Sequence, residues 1–445
     1  MNRYRVLVFA AFMFISATSV LPWNLFINAH EYYHYKLRNV TENATLSDEK
    51  DDTELQRSYE GWVTLTGGVS CAFGSGINFL KAFADFPSKN FPYTYFILGH
   101  SLRIRAGHTV VLLSLVPTVL LTYINTDAFQ SAFFCISMVL ASLASFGSIG
   151  LIACGLLGFS AKFPSENVQA VMIGQSVAGI LSSLLSIVCQ SLAANALVNG
   201  RLFFVIAFVW TILSVFLYEL LVRSKETELL LIDEGSRIDQ SSDQRLLDNV
   251  DNTFEADESP LHLRSTETHS LWSDAEQVWK KTKVEWWAGF IIFFGTMTAF
   301  PAVSSLVQTS AKNLVWKNYF SSLACFLLFN CGDAFGRLVV NFCRLREKAL
   351  IMLSFLRLLA IPVLFFCNIN PRYHSVTLFR SDEVFISTML LFSISNGFLF
   401  TTATINATSK VHAELRELAG SMFGFMAVIS TLCGSLIGLL LVKAM

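Results

Sequence analysis

Charge is scarce in this sequence. Only 15% of its 445 residues are charged, whereas 53% are hydrophobic, and the mean hydropathy is +0.52. The formal net charge is −1, and the Lys and Arg residues lie in short breaks between apolar runs, where they form no basic face. The composition therefore indicates no nucleic-acid partner and is not that of a water-soluble domain.

Metal-binding and catalytic patterns are lacking as well. The nine cysteines lie in or at the edges of apolar runs without CxxC spacing, which indicates neither a disulfide framework nor a zinc site. His108 stands in an apolar run with no nucleophile or base beside it, so we predict a buried histidine with satisfied hydrogen bonds. We therefore predict no enzyme, no metal and no cofactor.

Long apolar runs dominate instead, each of about 18–25 residues, which suits a helix that crosses a bilayer. The first run continues through Val20 without a clear small-x-small cleavage site before a soluble domain, so it is predicted to be a transmembrane helix rather than a signal peptide. We predict an all-α polytopic membrane protein with spans at 5–29, 61–82, 104–124, 130–158, 166–192, 200–222, 285–309, 319–342, 349–367, 384–405 and 418–442. For the second span, the apolar patch 91–102 and a re-entrant segment are alternatives.

The spans form two groups. A polar segment rich in Asp, Glu, Ser, Thr, Asn and Gln separates six spans from five, and it is predicted to be a disordered loop. The predicted organisation is thus a six-helix half at 1–222, a loop at 223–283 and a five-helix half at 284–445. Paired features, such as Pro22 and Pro301 in the first and seventh spans, favour repeated halves of the kind found in transporters.

The positions of the charges predict the orientation in the membrane. If every run spans once, the Lys and Arg clusters between runs fall on one side, and the positive-inside rule makes that side cytosolic. The loop after the first span carries two glycosylation sequons, at Asn39 and Asn43, on the other side. We therefore predict a cytosolic N-terminus, an extracellular C-terminus and a long cytosolic loop.

The most informative feature is a polar stripe in the eighth span. Phe326, Asn330, Asp333 and Arg337 fall on one face at 3.6 residues per turn. A charged side chain at the bilayer centre costs about 2.5–3.5 kcal/mol on insertion scales, so such residues usually face a bundle interior or a watery cavity. The stripe predicts a binding site; the alternative is an ion pair that only fixes helix packing.

The other intramembrane polar residues are mostly amides and rings, including Trp23, Asn24 and Gln175. They suit a neutral solute with several hydrogen-bonding groups and a flat apolar face, on which Trp23 and Phe326 can stack. A nucleoside fits that description.

An ordered set of motifs resembles the equilibrative nucleoside transporter family over nearly the whole chain. The resembling pieces are Leu21-Pro22-Trp23-Asn24-Leu25-Phe26-Ile27, Ser145-Phe146-Gly147, Gly174-Gln175-Ser176-Val177-Ala178-Gly179, Phe300-Pro301-Ala302-Val303, Phe326 to Arg337, Cys367 to Arg372, Ser395-Asn396-Gly397 and Glu417-Leu418-Ala419-Gly420. The resemblance implies a major-facilitator-like 6+5 bundle that carries nucleosides down their gradient by alternating access.

The resemblance also implies roles for individual residues. Asp333 is expected to accept hydrogen bonds from ribose hydroxyls and Arg337 to donate to the sugar or base. Glu417 is expected to form a cytoplasmic gate with Arg105. Residues implied to line the substrate site are Trp23, Asn24, Phe326, Asn330, Asp333 and Arg337, and those implied to lie in close helix packing near the pathway are Gly147, Gly174, Gln175 and Gly179.

Two departures from the family leave the substrate open. Leu151 stands where members often carry a glutamine, so the preference between purines and pyrimidines, and transport of nucleobases, are in doubt. The region of the second span does not align cleanly either. We expect nucleosides and membrane lipid as the partners and no obligate protein partner.

We expect the protein in the plasma membrane. An acidic-dileucine pattern at Glu226 to Leu231 makes an endolysosomal membrane the second choice. The alternatives to facilitated transport are a proton-coupled nucleoside or nucleobase transporter of that membrane and a non-transporting receptor.

Overall fold

The computed structural model describes residues 3–40, 53–84, 100–192, 195–224, 227, 271–370, 372 and 376–444. Most of the predicted loop 223–283, the acidic-dileucine pattern and the sequon at Asn43 lie outside these ranges. The described chain is helical, and its β-structure is limited to isolated bridges, which join Val307 to Ile369 and Cys367 to Phe379.

Within the described ranges, eleven helical segments are long and apolar enough to cross a membrane. In chain order they are α1 (Tyr4–Asn28), α2 (Glu54–Leu80), α3 (Ser101–Leu121), α4 (Asp127–Ser160), α5 (Ser165–Ser191), α6 (Ala196–Arg223), α7 (Ser273–Leu306), α8 (Leu314–Val339), α9 (Glu347–Phe365), α10 (Asp382–Ser409) and α11 (Ala413–Lys443). The predicted all-α fold with eleven spans is confirmed. The glycine-rich stretch forms the second span, which begins earlier than predicted.

Several spans depart from regular α-helix near their middle. α1 consists of helices Arg3–Thr18 and Leu21–Asn28, and Pro22 lies in the first turn of the second, where its missing N–H leaves no helical hydrogen bond unmade. α4 contains a π-helix at Phe146–Ala153, and α8 contains one at Ser321–Leu327. Short π-helical stretches are frequent at functional sites. These two π-helices lie on spans that carry predicted site or pathway residues.

The segments α1–α6 and α7–α11 share an apolar core at one end of the bundle. We call this end the basic end, because Arg103, Arg105, Lys162, Arg344 and Lys348 lie there. The largest core cluster joins both groups of helices at this end and includes Phe12, Phe159, Phe163, Phe400 and Phe423. Two other clusters lie at the opposite end, one within α1–α6 and one within α7–α11. The two groups of helices are therefore joined most extensively at the basic end.

α8 and α10 approach each other so closely that their backbones touch. A Cβ atom added to Gly397 of α10 would overlap the carbonyl oxygen of Asp333, and one added to Gly336 of α8 would overlap that of Ile394. Glycine is needed at both positions because a side chain has no space between the helices. We call this contact the α8–α10 seam. It places Asp333 and Asn396 side by side.

Candidate functional site

The carboxylate of Asp333 joins three helices. Its Oδ2 accepts hydrogen bonds from Nε of Arg337, at 2.8 Å, and from Oγ of Ser176 on α5, at 2.6 Å. Its Oδ1 accepts one from Nδ2 of Asn396 on α10, at 2.6 Å. Asp333 is 3% exposed and Arg337 is 4% exposed. The stripe therefore faces the interior of the bundle and not the lipid.

Arg337 binds the other half of the molecule through the backbone. Its Nη1 donates to the carbonyl oxygen of Met172 on α5, and Nε2 of Gln169 donates to the carbonyl oxygen of Arg337, at 2.7 Å. Together with the bond from Ser176 to Asp333, three hydrogen bonds cross from α5 to α8 at this level. The ion pair thus lies at the interface between the two groups of helices.

The stripe continues toward the opposite end through Asn330 and Phe326, which are half-buried. Nδ2 of Asn330 donates to Oγ of Ser183 on α5, at 3.2 Å, and to the carbonyl oxygen of Phe326, at 2.9 Å. The ring of Phe326 packs edge-on against that of Phe300, with centroids 5.7 Å apart. These two residues extend the same interface and offer an amide and an aromatic ring.

The predicted residues of α1 and α5 also have polar groups or rings that are not fully enclosed. Trp23 and Asn24 are half-buried, and the ring of Trp23 packs on Gly67 of α2. Within the described part of the chain, the side-chain amides of Asn24 and Gln175 make no hydrogen bond, and both residues are half-buried.

The predicted packing glycines lie in different interfaces. A Cβ on Gly147 of α4 would lie 2.8 Å from the carbonyl oxygen of Gly107 on α3, and one on Gly174 of α5 would overlap that of Met13 on α1. Gly179 of α5 faces the amide of Asn330 on α8. Of the three, Gly179 is thus the one that packs directly on the stripe.

A second buried polar group continues from Asn396, and the sequence analysis missed it. Oδ1 of Asn396 accepts a hydrogen bond from Oγ1 of Thr296 on α7, at 2.7 Å, and Thr296 in turn accepts one from Nη1 of Arg357 on α9, at 2.9 Å. An arginine in the middle of the ninth apolar run was the available signal. The sequence gives no comparable signal for Ser176 and Thr296, because single hydroxyl groups are common in membrane helices.

The predicted gate pair is wrong in one partner. Arg105 binds Glu219 of α6, with Nε 2.5 Å from Oε1, whereas Arg103 binds Glu417 of α11, with Nη2 2.7 Å from Oε1. Positions 103 and 105 point about 200° apart on a helix. The side chain of Arg103 is 2% exposed and that of Arg105 is 41% exposed, so Arg103 is the arginine that faces the interface.

The two ion pairs lead to a prediction that distinguishes Arg103 from Arg105. We expect Arg103→Ala to lower surface-normalised uptake by at least about tenfold, because it breaks a largely buried ion pair between the two groups of helices. Arg105→Ala is the matched control and should stay within about twofold of wild type, since its partner lies in the same half and the pair is exposed. Equal effects of the two substitutions would contradict this assignment.

Two further predictions concern the burial of His108 and the absence of a metal site. The predicted burial of His108 is confirmed: its Nδ1 lies 2.9 Å from the carbonyl oxygen of Ile104, and its Nε2 lies 2.9 Å from Oγ of Ser214. No group of His, Cys, Asp or Glu that could hold a metal ion occurs among the residues that the structure describes.

Comparison with known proteins agrees with the architecture. The chain is 27% identical to human equilibrative nucleoside transporter 1 over 467 residues, covering 99% of this chain and 97% of that protein. It is 26% identical to human equilibrative nucleoside transporter 2 over 455 residues, covering 96% and 95%. The fold is similar to that of the proton:xylose symporter XylE of the major facilitator superfamily, with a TM-score of 0.55, 11% identity and coverage of 98% of this chain and 95% of that one.

A family model covers more than half of the chain. The model described as "Nucleoside transporter" matches residues 136–443, which include α5, the stripe in α8 and Glu417. The predicted resemblance and the major-facilitator-like fold are confirmed, and the family is one of transporters rather than enzymes. The chain belongs to the nucleoside transporter family.

Proposed function

We propose that this protein carries nucleosides down their concentration gradient by alternating access, with the stripe in α8 as the substrate site. The observation that carries the proposal is a buried Asp333–Arg337 pair at the interface between α1–α6 and α7–α11. Transporters with repeated halves bind their substrate near the midplane, between the halves, and rock one half against the other. The position of the pair between the two groups of helices supports this assignment.

Asp333 has room for one more hydrogen bond. A carboxylate offers about four lone-pair positions. Oδ2 of Asp333 accepts two hydrogen bonds and Oδ1 accepts one, from Asn396. Once α5 separates from α8, a ribose hydroxyl can donate to Oδ1 while Asn396 keeps its hydrogen bond to that oxygen, and the hydroxyl oxygen can accept from the guanidinium of Arg337.

The remaining residues of the stripe suit the base. Phe326 and Trp23 offer aromatic surface, and Asn24 and Asn330 offer amide groups for the polar edge of the base. Leu151, where the family often has glutamine, is buried and apolar. We infer that base recognition depends more on the asparagines here than in relatives with that glutamine.

The contacts across the interface also support a mechanism. The hydrogen bonds from Ser176 and Gln169, and that to Met172, hold α5 against α8 at the level of the ion pair. Exposing Asp333 to solvent requires these bonds to break. A nucleoside that supplies replacement hydrogen bonds stabilises the separated arrangement, and this difference in affinity between states is what shifts the conformational equilibrium.

The proposed orientation follows the charges. The basic end is taken as cytosolic, by the positive-inside rule, which places the N-terminus inside and the C-terminus outside. Asn39 is exposed and follows α1 at the opposite end, as a glycosylated residue of an extracellular loop requires. We propose the plasma membrane as the location, with an endolysosomal membrane second.

Uptake of radiolabelled uridine and adenosine tests the proposal. In cells that lack endogenous nucleoside transport, we expect saturable flux in both directions, competition by unlabelled nucleosides and the same rate at two external pH values. A facilitative carrier moves no proton with its substrate, so we expect its rate to be independent of external pH. Uptake that rises at acidic pH would favour the proton-coupled alternative, and no uptake would favour a receptor.

A further inference from the structure

We propose that Arg357, Thr296 and Asn396 form a hydrogen-bonded relay that orients Asn396 and thereby sets the geometry of Asp333 for the substrate hydroxyl. They are positioning residues on α9, α7 and α10, and Asn396 is the one beside the substrate. The inference rests on the proposed role of Asp333 and adds to it the residues that determine how Asp333 binds.

Arg357 is a buried cation that is held by neutral groups. It is 7% exposed, and none of the ion pairs in the described ranges involves it. Its Nη1 donates to the carbonyl oxygen of Ile292, at 2.5 Å, and its Nη2 donates to that of Phe392, at 3.1 Å. Its guanidinium carbon lies 4.3 Å from the centroid of the Phe392 ring. These contacts fix Arg357 between α7 and α10.

The relay has one possible direction. A guanidinium only donates hydrogen bonds, and a carboxylate only accepts them. Between the two ends, Arg357 donates to Thr296, Thr296 donates to Oδ1 of Asn396, and Nδ2 of Asn396 donates to Oδ1 of Asp333. Reversing any link would place two donors or two acceptors face to face. The relay therefore holds the amide group of Asn396 toward the carboxylate.

The hydroxyl of Thr296 is the link that can be removed cleanly. Its oxygen lies 2.8 Å from the carbonyl oxygen of Ile292 and 2.7 Å from Oδ1 of Asn396, and it has one hydrogen to donate. Because Oδ1 of Asn396 carries no hydrogen, the hydroxyl hydrogen is assigned to this contact, where two acceptors would otherwise face each other. Without it, Oδ1 of Asn396 would be buried without a donor, and the amide would lose the contact that fixes its rotation. Arg357 would keep its backbone partners.

The site on Asp333 explains why this orientation matters. The open lone pair is on Oδ1, the oxygen that Asn396 binds. A rotated Asn396 would present its carbonyl to this oxygen and would either repel the carboxylate or compete for the hydroxyl hydrogen of the substrate. The relay is thus expected to affect substrate affinity more than the rate of the conformational change.

The test compares two buried threonines. Thr296→Val removes the relay hydroxyl while keeping the shape of the side chain, and Thr296→Ser restores the hydroxyl. Thr402→Val is the matched control, because Thr402 lies on α10, is fully buried, and donates to the carbonyl oxygen of Phe398, at 2.7 Å. KM and maximal rate of adenosine uptake are measured, and the rate is divided by the amount of transporter at the surface.

We expect Thr296→Val to raise KM about tenfold, the equivalent of one lost hydrogen bond to a charged network, with the maximal rate little changed. Thr296→Ser should recover the wild-type KM, and Thr402→Val should not change it. Thr296→Ala, which cannot overpack, repeats the test if the valine variant does not reach the surface.

A KM for Thr296→Val equal to that of Thr402→Val would overturn the relay. The double variant Thr296→Val/Asn396→Ala adds a second criterion: its KM should equal that of Asn396→Ala alone, and additive effects would show that Thr296 does not act through Asn396. Asp333→Ala separates the two proposals. If it keeps normal uptake, the proposed site is wrong; if it is inactive while Thr296→Val behaves like the control, only the relay is wrong.

Discussion

Replacing Asp333 by alanine is expected to abolish nucleoside uptake. The substitution removes the proposed acceptor for the ribose hydroxyl and leaves Ser176, Asn396 and Arg337 with buried donors that lack their common partner. Loss of a hydrogen bond to a charged group costs about 1.5–3 kcal/mol, and the substrate loses its own contact as well, so uptake should fall by more than about a hundredfold. The measurement is uridine and adenosine uptake per transporter at the cell surface.

Surface labelling and a matched carboxylate serve as controls for this result. Glu276→Ala removes a carboxylate from an exposed pair with Lys280 on α7 and should leave uptake unchanged. Surface expression of Asp333→Ala should fall but stay measurable, because the smaller side chain introduces no steric clash and Arg337 keeps its hydrogen bond to the carbonyl oxygen of Met172. Normal uptake at normal expression would mean that the stripe serves packing alone.

Arg337→Ala is the second substitution with a large expected effect. It leaves the Asp333 carboxylate buried without its cation and frees the carbonyl oxygen of Met172. Removing one partner of a buried ion pair typically costs about 3–5 kcal/mol of stability. We expect uptake to be lost and the amount of mature protein to fall, as measured by surface labelling and by the melting temperature of purified transporter.

The double variant Asp333→Ala/Arg337→Ala separates the loss of uptake from the loss of mature protein. Without either charge, no unpaired ion remains in the bundle, so protein levels should recover relative to Arg337→Ala. Uptake should stay absent, because both substrate contacts are gone. If the double variant transports nucleosides, the pair contributes to folding and does not bind the substrate.

The overall fold could be predicted from the sequence because the physical signal is local. Apolar runs of bilayer length, separated by charged breaks, need no tertiary information to be recognised. The second span was ambiguous, since glycines lower its hydropathy, and the structure shows why they are there: Gly67 packs on Trp23, and Gly74 lies against Gly150 of α4. These glycines reflect packing between helices, which hydropathy does not measure.

The site could be predicted in part. Asp333 and Arg337 stood out because ionised residues are costly in an apolar run, and their spacing placed them on one face. Their partners Ser176, Asn396 and Met172 lie on other helices, and the choice of partner depends on helix rotation. Helix rotation also explains why Arg105 was predicted in place of Arg103 as the partner of Glu417. A shift of two residues along a helix moves a side chain to another face of α3.

The α8–α10 seam leaves very little tolerance for movement between the two helices. Backbone atoms in direct contact cannot slide past one another as flexible side chains can. The carboxylate of Asp333 and the amide of Asn396 are therefore expected to move together when α7–α11 moves relative to α1–α6. In the proposed site, the α7–α11 side would therefore present the nucleoside with polar groups at a fixed spacing. We expect adaptation to different bases to come from the residues of α1 and α5.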